Sequence, residues 1–186
     1  MNKRGLIFSA ALKLFTEQGI SHTSTAAISR EAGVATGTLF LYFPSKDDLI
    51  NQLYKECKER LGLELSRNFP YEGSTQIRLR HLWDKAIEWA LANYHAFRFI
   101  HLYKSSTSIS EIAKSESAPS AGFAIDFIRE GIKKGDLLKV DIDLLLALVD
   151  SQIAATINHL YLKQKKNKKQ VISVAFNLLW SGVGRK

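Results

Sequence analysis

The sequence of 186 residues has a single cysteine, Cys57, only three prolines, and no alternating Val, Thr and Tyr runs of the kind that form β-strands. One cysteine excludes an internal disulfide framework and any metal site built from several cysteines. No apolar run reaches the roughly 18 residues that a membrane span needs. Because hydrophobic residues still make up 46% of the chain, the composition predicts an all-helical protein with a core of its own.

The N-terminus begins with basic residues followed by an apolar segment, which superficially resembles a signal peptide. Lys13 interrupts that apolar segment, and Glu17 follows at helical spacing. We therefore interpret the segment as an amphipathic helix and expect a cytoplasmic protein. The formal net charge of +8 favours a polyanionic partner without identifying it.

Two short helices and a turn form the most informative part of the chain. Apolar residues from Leu6 to Phe15 predict a first helix that ends at Gly19. The next two helices are predicted at about Thr25–Ala32 and Thr36–Tyr42. Gly33 ends the first of them and allows the tight turn that a helix-turn-helix requires. Ser45 is the predicted N-cap of a fourth helix, with Asp48 in the place of the usual capping-box Glu.

The rest of the chain is predicted to form further helices joined by loops. Residues 68–74 and the Ser-rich stretch Ser105–Ser120 are predicted loops, the second with a brief helical turn. A helix with Leu79, Trp83 and Ile87 on one face is predicted after the first loop. The further predicted helices are at about Tyr94–Tyr103, Phe123–Lys134, Ile142–Leu162 and Lys168–Val183.

The helix from Ile142 opens with an LLLALV segment that is apolar on every side. A helix of this kind must be buried all round, which favours a homodimer through the last two helices over an ordinary central core helix. The tract Lys163–Lys169 between these helices carries five lysines. We interpret it as a solvated turn, with contact to nucleic acid as the alternative.

A helix that reads a DNA groove presents small or polar residues at its N-terminus, and phosphate contacts on its flanks hold it in place. Thr36, Gly37 and Thr38 fit the first demand. The flanks offer hydroxyl groups, helix N-terminal amides and one ammonium group, contributed by Ser24, Thr25, Tyr42 and Lys46.

The segments AALKLFTEQG (10–19), TSTAAISREAGV (23–34) and GTLFLYFPSKDDL (37–49) resemble the N-terminal domain of the TetR family of transcriptional regulators. The resemblance implies a three-helix DNA-binding domain over residues 1–46 and a helical ligand-binding and dimerisation domain over residues 47–186. It also implies phosphate or base contacts from Ser24, Thr25, Thr36, Gly37, Thr38, Tyr42 and Lys46. The expected function is a ligand-responsive repressor that binds a pseudo-palindromic operator as a homodimer, with activation as the alternative.

The chain departs from the family pattern at two positions. Phe40 stands where the family often has tyrosine, and Ala35 stands where it often has a polar residue. Ala35 leaves the reading helix without a side-chain N-cap unless Thr36 supplies one. Because Ala26 is also too short for a base contact, we expect few polar base contacts and some reliance on DNA shape.

The middle of the chain is rich in aromatic residues that suit an apolar pocket. The candidate ligand-binding residues are Trp83, Phe97, His101, Tyr103 and Phe127. The ligand would be a small apolar or aromatic molecule. Simple core packing is the alternative for each of these residues.

An enzyme is the main alternative class of protein. His81, Asp84 and Glu88 share one helical face that could hold a metal, but a solvated polar face explains them better. No HExxH, GxSxG or P-loop pattern occurs. We therefore expect no catalytic residues, metal ligands or cofactor. A scaffold that binds other proteins through the helical domain is a further alternative.

Overall fold

The computed structural model describes residues 2–104, 106–109, 122–163 and 167–185, and within them it contains helices and no strand. This confirms the predicted all-α fold. The helices are α1 Lys3–Gln18, α2 Thr25–Glu31, α3 Thr36–Tyr42, α4 Lys46–Ser66, α5 Thr75–Ala92, α6 Tyr94–Tyr103, α7 Gly122–Lys134, α8 Ile142–Lys163 and α9 Lys168–Val183.

Local signals mark several helix ends as expected. Gly19 follows α1 with a φ of 86°, and its amide donates to the carbonyl of Phe15. The amide of Asp48 donates to Ser45 Oγ at 3.0 Å, so Ser45 caps α4. The carboxylate of Asp48 accepts from Gln52 Nε2 at 2.8 Å, and therefore lies over the following turn of the helix.

Two predicted segments extend outside the described residues. Of the predicted loop Ser105–Ser120, only residues 106–109 are described. The lysine tract Lys163–Lys169 is also described only in part, because residues 164–166 lie outside. None of the helices in the described part of the chain has the length and apolar character needed to cross a membrane.

The chain divides into two compact units, and unit 1 comprises residues 1–59 and 93–118. Its core joins α1, α2, α3 and α6 through rings and aliphatic side chains. Phe8 stacks on Phe43 with centroids 5.2 Å apart, and Phe15 stacks on Phe99 at 5.9 Å. The apolar residues that pack the helices of the helix-turn-helix together are buried, apart from the half-buried Val34: they are Ile28, Ala32, Leu39 and Phe43.

Unit 2 comprises residues 60–92 and 119–186, in which α8 packs against both α5 and α9. Trp83 of α5 is fully buried, and its indole N–H donates to the carbonyl of Ile172 at 3.2 Å. One face of α8 is buried through Leu145, Ile157 and Leu160. The predicted boundary after residue 46, between a DNA-binding domain and a ligand-binding and dimerisation domain, stays a prediction.

Gly33 offers a test of the turn between α2 and α3. Its φ is +65°, and a Cβ added at this position would have no atom within 4 Å, so Gly33→Ala introduces backbone strain alone. We expect the free energy of unfolding to fall by about 1 kcal/mol, as measured by urea denaturation followed by circular dichroism. Gly37→Ala is the matched control, because Gly37 is equally open but helical; it should stabilise by about 0.5–1 kcal/mol. Equal stability of the two variants would contradict the strained turn.

Candidate nucleic-acid interface

The segment from α2 to α3 has the geometry of a tight helix-turn-helix. Four residues, 32–35, separate the two helices. The turn is closed by backbone hydrogen bonds from Gly33 to the carbonyl of Arg30 and from Val34 to the carbonyl of Ser29. A short turn with glycine in the left-handed region is what lets a second helix cross the first at a steep angle.

Burial divides α3 into an anchoring side and a presenting side. Leu39 is fully buried within unit 1, as is Phe43 just after the helix. The exposed residues lie on the remaining surface: Thr36, Gly37, Phe40, Leu41 and Tyr42. Thr38 is half-buried. The helix is therefore held by two apolar side chains and presents a small, weakly polar surface of the kind that fits into a groove.

The N-terminus of α3 has no side-chain cap. Ala35 occupies the N-cap position, and its methyl group cannot accept a hydrogen bond. Its carbonyl accepts from the amide of Thr38 at 2.9 Å. Thr36 lies inside the helix as its first residue, so it does not take over the capping role that the sequence left open.

Ser24 has a structural function in addition to its predicted phosphate contact. It is the N-cap of α2, and its Oγ accepts from the amide of Ala27 at 3.1 Å. The hydroxyl proton is not used by this cap, so the exposed side chain keeps a donor for phosphate. Thr25, the first residue of α2, is half-buried.

Lys46 also has a partner that the sequence did not predict. Its ammonium group donates to the carbonyl of Ile20 at 2.6 Å, and the side chain is half-buried. An ammonium group has three donors, so this bond fixes the side chain and still leaves two N–H groups for a phosphate. The phosphate contact itself stays a prediction.

The loop of residues 19–24, which we call the α1–α2 loop, is held by a hydrogen bond within it and by hydrogen bonds to Tyr103 and Lys46 of unit 1. The hydroxyl of Tyr103 donates to the carbonyl of Phe15 at 3.0 Å and accepts from the amide of Ile20 at 3.2 Å. The hydroxyl of the buried Thr23 donates to the carbonyl of Gly19 at 2.8 Å. Together with Lys46, these bonds fix the end of α1 and the start of α2.

The five candidate ligand-binding residues fall into different units. In unit 1, the ring of Phe97 stacks on His101 with centroids 5.9 Å apart, and the hydroxyl of Tyr103 has the two partners named above. In unit 2, Trp83 packs edge-on against Phe176, and Phe127 is buried. A ligand-binding role for these five residues stays a prediction.

The two carboxylates considered as part of a metal site have other partners. Asp84 accepts from Arg80 at 2.8 Å, and Glu88 accepts from Lys85 at 3.2 Å. Within the described ranges, no group of three His, Cys, Asp or Glu side chains has a geometry suited to a metal ion.

Leu41 is a candidate contact residue that the sequence reasoning missed. It is 85% exposed on α3, although leucine is normally among the most buried residue types. Helical periodicity contained the signal, because Leu41 follows Gly37 by four residues and Thr38 by three and so shares their face. A search for polar base contacts passed over it, but apolar side chains read the methyl group of thymine.

Comparison with known proteins matches nearly the whole chain. Residues 7–53 match the profile of the bacterial regulatory proteins of the tetR family, and residues 54–184 match that of the tetracyclin repressor-like C-terminal domains. The HTH-type transcriptional regulator AcrR of Shigella flexneri is 32% identical over 83 residues, which are 44% of this chain and 39% of that protein. The chain thus spans about two fifths of the length of this relative.

Solved structures extend the likeness to the full length. A crystal structure from Shewanella sp. PV-4, assigned to the TetR family of transcription regulators, has a TM-score of 0.86 and 31% identity over all of both chains. The Bacillus subtilis regulator FadR, solved in complex with stearoyl-CoA, has a TM-score of 0.72 and 20% identity. It covers 96% of this chain and 98% of its own, and at this identity the likeness is one of fold.

Lys46→Met tests the predicted phosphate contact, because it keeps most of the aliphatic stem and removes the charge. We expect affinity for every duplex sequence to fall together, and the dependence of log K on log salt to become shallower by about one unit. Fluorescence anisotropy over a salt series measures both. Lys139→Met, at an exposed lysine of unit 2, controls for the loss of one positive charge. An unchanged salt slope in Lys46→Met would remove Lys46 from the phosphate contacts.

Leu41→Ala tests the thymine contact, using duplexes that the protein selects from a random pool. Replacing the contacted thymine by deoxyuridine removes only its methyl group, and should weaken binding of the parent protein by about fourfold. The same replacement should leave binding of Leu41→Ala unchanged, because the partner of the methyl group is gone. Leu63→Ala, another exposed leucine, is the control. Equal deoxyuridine effects in all three proteins would exclude the contact.

Proposed function

The chain belongs to the TetR family of DNA-binding transcriptional regulators, and we propose that it is a ligand-responsive repressor that binds a pseudo-palindromic operator as a homodimer. The observation that carries the proposal is the presenting side of α3, which is small, exposed and anchored from behind by Leu39 and Phe43. Such a helix can enter the major groove without distorting its own support.

On this proposal, base reading and positioning on the backbone belong to different residues. Thr36, Gly37 and Thr38 approach base edges, and Leu41 adds an apolar contact. The phosphate contacts come from the flanks of α3 and from the starts of α2 and α4, through Ser24, Thr25, Tyr42 and Lys46. The positive net charge of the chain supports attraction to DNA as a whole.

Footprinting on the DNA that flanks the gene tests the proposal. A symmetric dimer should protect two half-sites whose centres lie about one helical turn, or a multiple of one turn, apart. Loss of the protein from the cell should raise expression of the adjacent genes. Lowered expression would indicate an activator instead. No protection on any duplex would favour the scaffold that binds other proteins.

The proposed dimer uses the outer surface of α8 and α9 in unit 2. Opposite its buried face, α8 carries the exposed Leu144 and Leu148, and the same stripe continues through Gln152, Ala155 and His159 by steps of three or four residues. On α9, Val174 and Leu178 are exposed. We call these exposed and half-buried side chains of α8 and α9 the α8–α9 face.

The α8–α9 face also contains a shallow groove between the two helices, with a volume of about 500 Å³. Its lining is mostly aliphatic and small: Gln152, Ala155, Thr156, His159, Gln170, Val171, Val174, Ala175 and Leu178. An exposed apolar surface of this kind indicates a protein interface. In a two-fold dimer the same face serves both subunits, so a side chain such as Leu178 of one copy can fill the groove of the other.

Leu178→Glu should separate the dimer, because a charge would be buried without a partner at a self-complementary surface. We expect the dimer dissociation constant to rise about a hundredfold, as measured by sedimentation equilibrium. The control is Ile77→Glu on α5, which changes a residue 56% exposed where Leu178 is 68% exposed. If both variants stay dimeric, or both dissociate, the α8–α9 face is not the specific interface.

The proposed ligand is a small apolar or aromatic molecule that relieves repression. The aromatic residues Trp83, Phe97, His101, Tyr103 and Phe127 are the candidates for contacting it. The FadR neighbour was solved with stearoyl-CoA, whose acyl chain is apolar, and this supports a ligand with an apolar part. Mobility shift with operator DNA in the presence of candidate molecules tests the response. If the protein releases DNA with none of them and calorimetry detects no binding, the ligand-responsive part of the proposal fails.

A further inference from the structure

A cluster of aromatic rings surrounds Phe69 in unit 2. The buried ring of Phe69 makes edge-to-face contacts with Tyr71, His81, Phe123 and Phe127, at centroid distances between 5.0 and 5.9 Å. We call these five residues the Phe69 cluster. It brings together the loop after α4, the first half of α5 and the first half of α7.

Arg78 is a largely buried cation against this cluster. Its guanidinium carbon lies 4.5 Å from the ring centroid of Phe127 and 5.4 Å from that of Phe69. The side chain is only 15% exposed. Its Nε is buried and has no hydrogen-bond acceptor among the described residues. A buried guanidinium group normally has its donors satisfied by a carboxylate or by carbonyl groups.

The acidic partner of Arg78 neutralises it only in part. Glu130 Oε2 lies 3.6 Å from Arg78 Nη2, which is longer than a hydrogen bond. The other carboxylate oxygen accepts from Lys134 Nζ at 2.6 Å. That hydrogen bond, with a smaller contribution from Arg78, holds the pKa of Glu130 below its ordinary value. Glu130 is therefore committed mainly to Lys134.

His81 presents a second buried nitrogen beside Arg78. Its Nε2 is buried and has no hydrogen-bond partner in the described part of the chain. His81 and Arg78 are three residues apart on α5, so they share a helix face, and both contact the ring of Phe69. A buried polar group without a hydrogen-bond partner destabilises the folded protein, and a charged one does so more strongly. Two such unpartnered nitrogens on one helix face indicate that a single ligand could bind both.

We propose that Arg78 and His81 form a subsite for the carboxylate of an amphipathic organic acid whose apolar part packs on the Phe69 cluster. The inference rests on the ligand-responsive function proposed above, and it gives the ligand a chemical class. One carboxylate accepts from Arg78 Nε through one oxygen and from His81 Nε2, in its protonated tautomer, through the other. The terminal nitrogen Nη2 of Arg78, which faces Glu130, is a separate donor with two N–H groups of its own and is not needed for this contact.

The surroundings favour a carboxylate over a phosphate. Arg78 supplies one permanent positive charge, which matches a monoanion. A phosphate dianion in the same place would leave a net buried negative charge beside Glu130, at a high desolvation cost. The aromatic rings around the two nitrogens exclude water and strengthen a charge-assisted hydrogen bond.

Isothermal titration calorimetry with two acids and their matched alcohols tests the subsite on the intact protein. The probes are dodecanoate with 1-dodecanol, and 4-phenylbutanoate with 4-phenylbutanol. At least one acid should bind about tenfold or more tightly than its alcohol, because a buried charge-assisted hydrogen bond increases affinity by that factor. Arg78→Met should remove this preference and leave the affinity for the alcohol unchanged.

Arg80→Met is the matched control. Arg80 lies two residues away on the same helix, 5.0 Å from the ring centroid of Phe176, and it is bonded to Asp84 at 2.8 Å. It resembles Arg78 in its stacking but has a close carboxylate partner. Its loss should leave the preference for the acid intact. Arg78→Lys keeps the charge without Nε, and should retain only part of the preference.

Three outcomes would overturn the inference: acid and alcohol binding equally, neither acid binding, or an acid preference that survives Arg78→Met. If circular dichroism shows that Arg78→Met does not fold, the comparison of acid with alcohol is made in the parent protein and in Arg78→Lys. An equal preference for the acid in these two proteins would then overturn the inference. Mobility shift with operator DNA separates the two proposals. DNA release by an alcohol as readily as by its acid would keep the ligand response and reject the subsite. Acid binding through Arg78 without DNA release would keep the subsite and reject the ligand response.

Discussion

The backbone of the α1–α2 loop imposes the constraint on which the first unit depends. Ile20 and Thr23 are buried, so the polar groups of this loop need partners inside the protein. The partners come from far along the chain: Lys46 at the start of α4 bonds to the carbonyl of Ile20, and Tyr103 at the end of α6 bonds to its amide. These bonds set where α2 begins, and α2 and its turn in turn set the direction of α3.

Much of this fold could be predicted because helix ends are decided by neighbouring residues. Gly19, Gly33 and Ser45 each mark an end or a turn through their own backbone or side chain, and periodicity assigned the helices between them. The partners of Lys46 and Tyr103 could not be predicted in the same way. They lie 26 and 83 residues away from Ile20, and a long-range contact leaves no periodic pattern in the sequence.

The candidate sites show the same division between local and distant information. The presenting side of α3 could be predicted from the sequence, except for Leu41. The helical position of Leu41 places it on this side, but its apolar side chain did not fit the search for polar contacts. The Phe69 cluster was out of reach, because Phe69, Arg78 and Phe127 come from a loop and two helices that meet only in the folded chain. Aromatic richness predicted rings in this region, but not that a poorly neutralised arginine would lie between two of them.

The short anchored helix α3 has a consequence for how such a protein changes over evolutionary time. Its stability comes from Leu39 and Phe43, which are fully buried, while the residues that face outward contribute little to folding. Substitutions at Thr36, Gly37 and Leu41 can therefore accumulate without unfolding the chain. On the proposed function, duplicated copies of the gene would be able to diverge in the operators they recognise, through the outward side of α3, while sharing one scaffold.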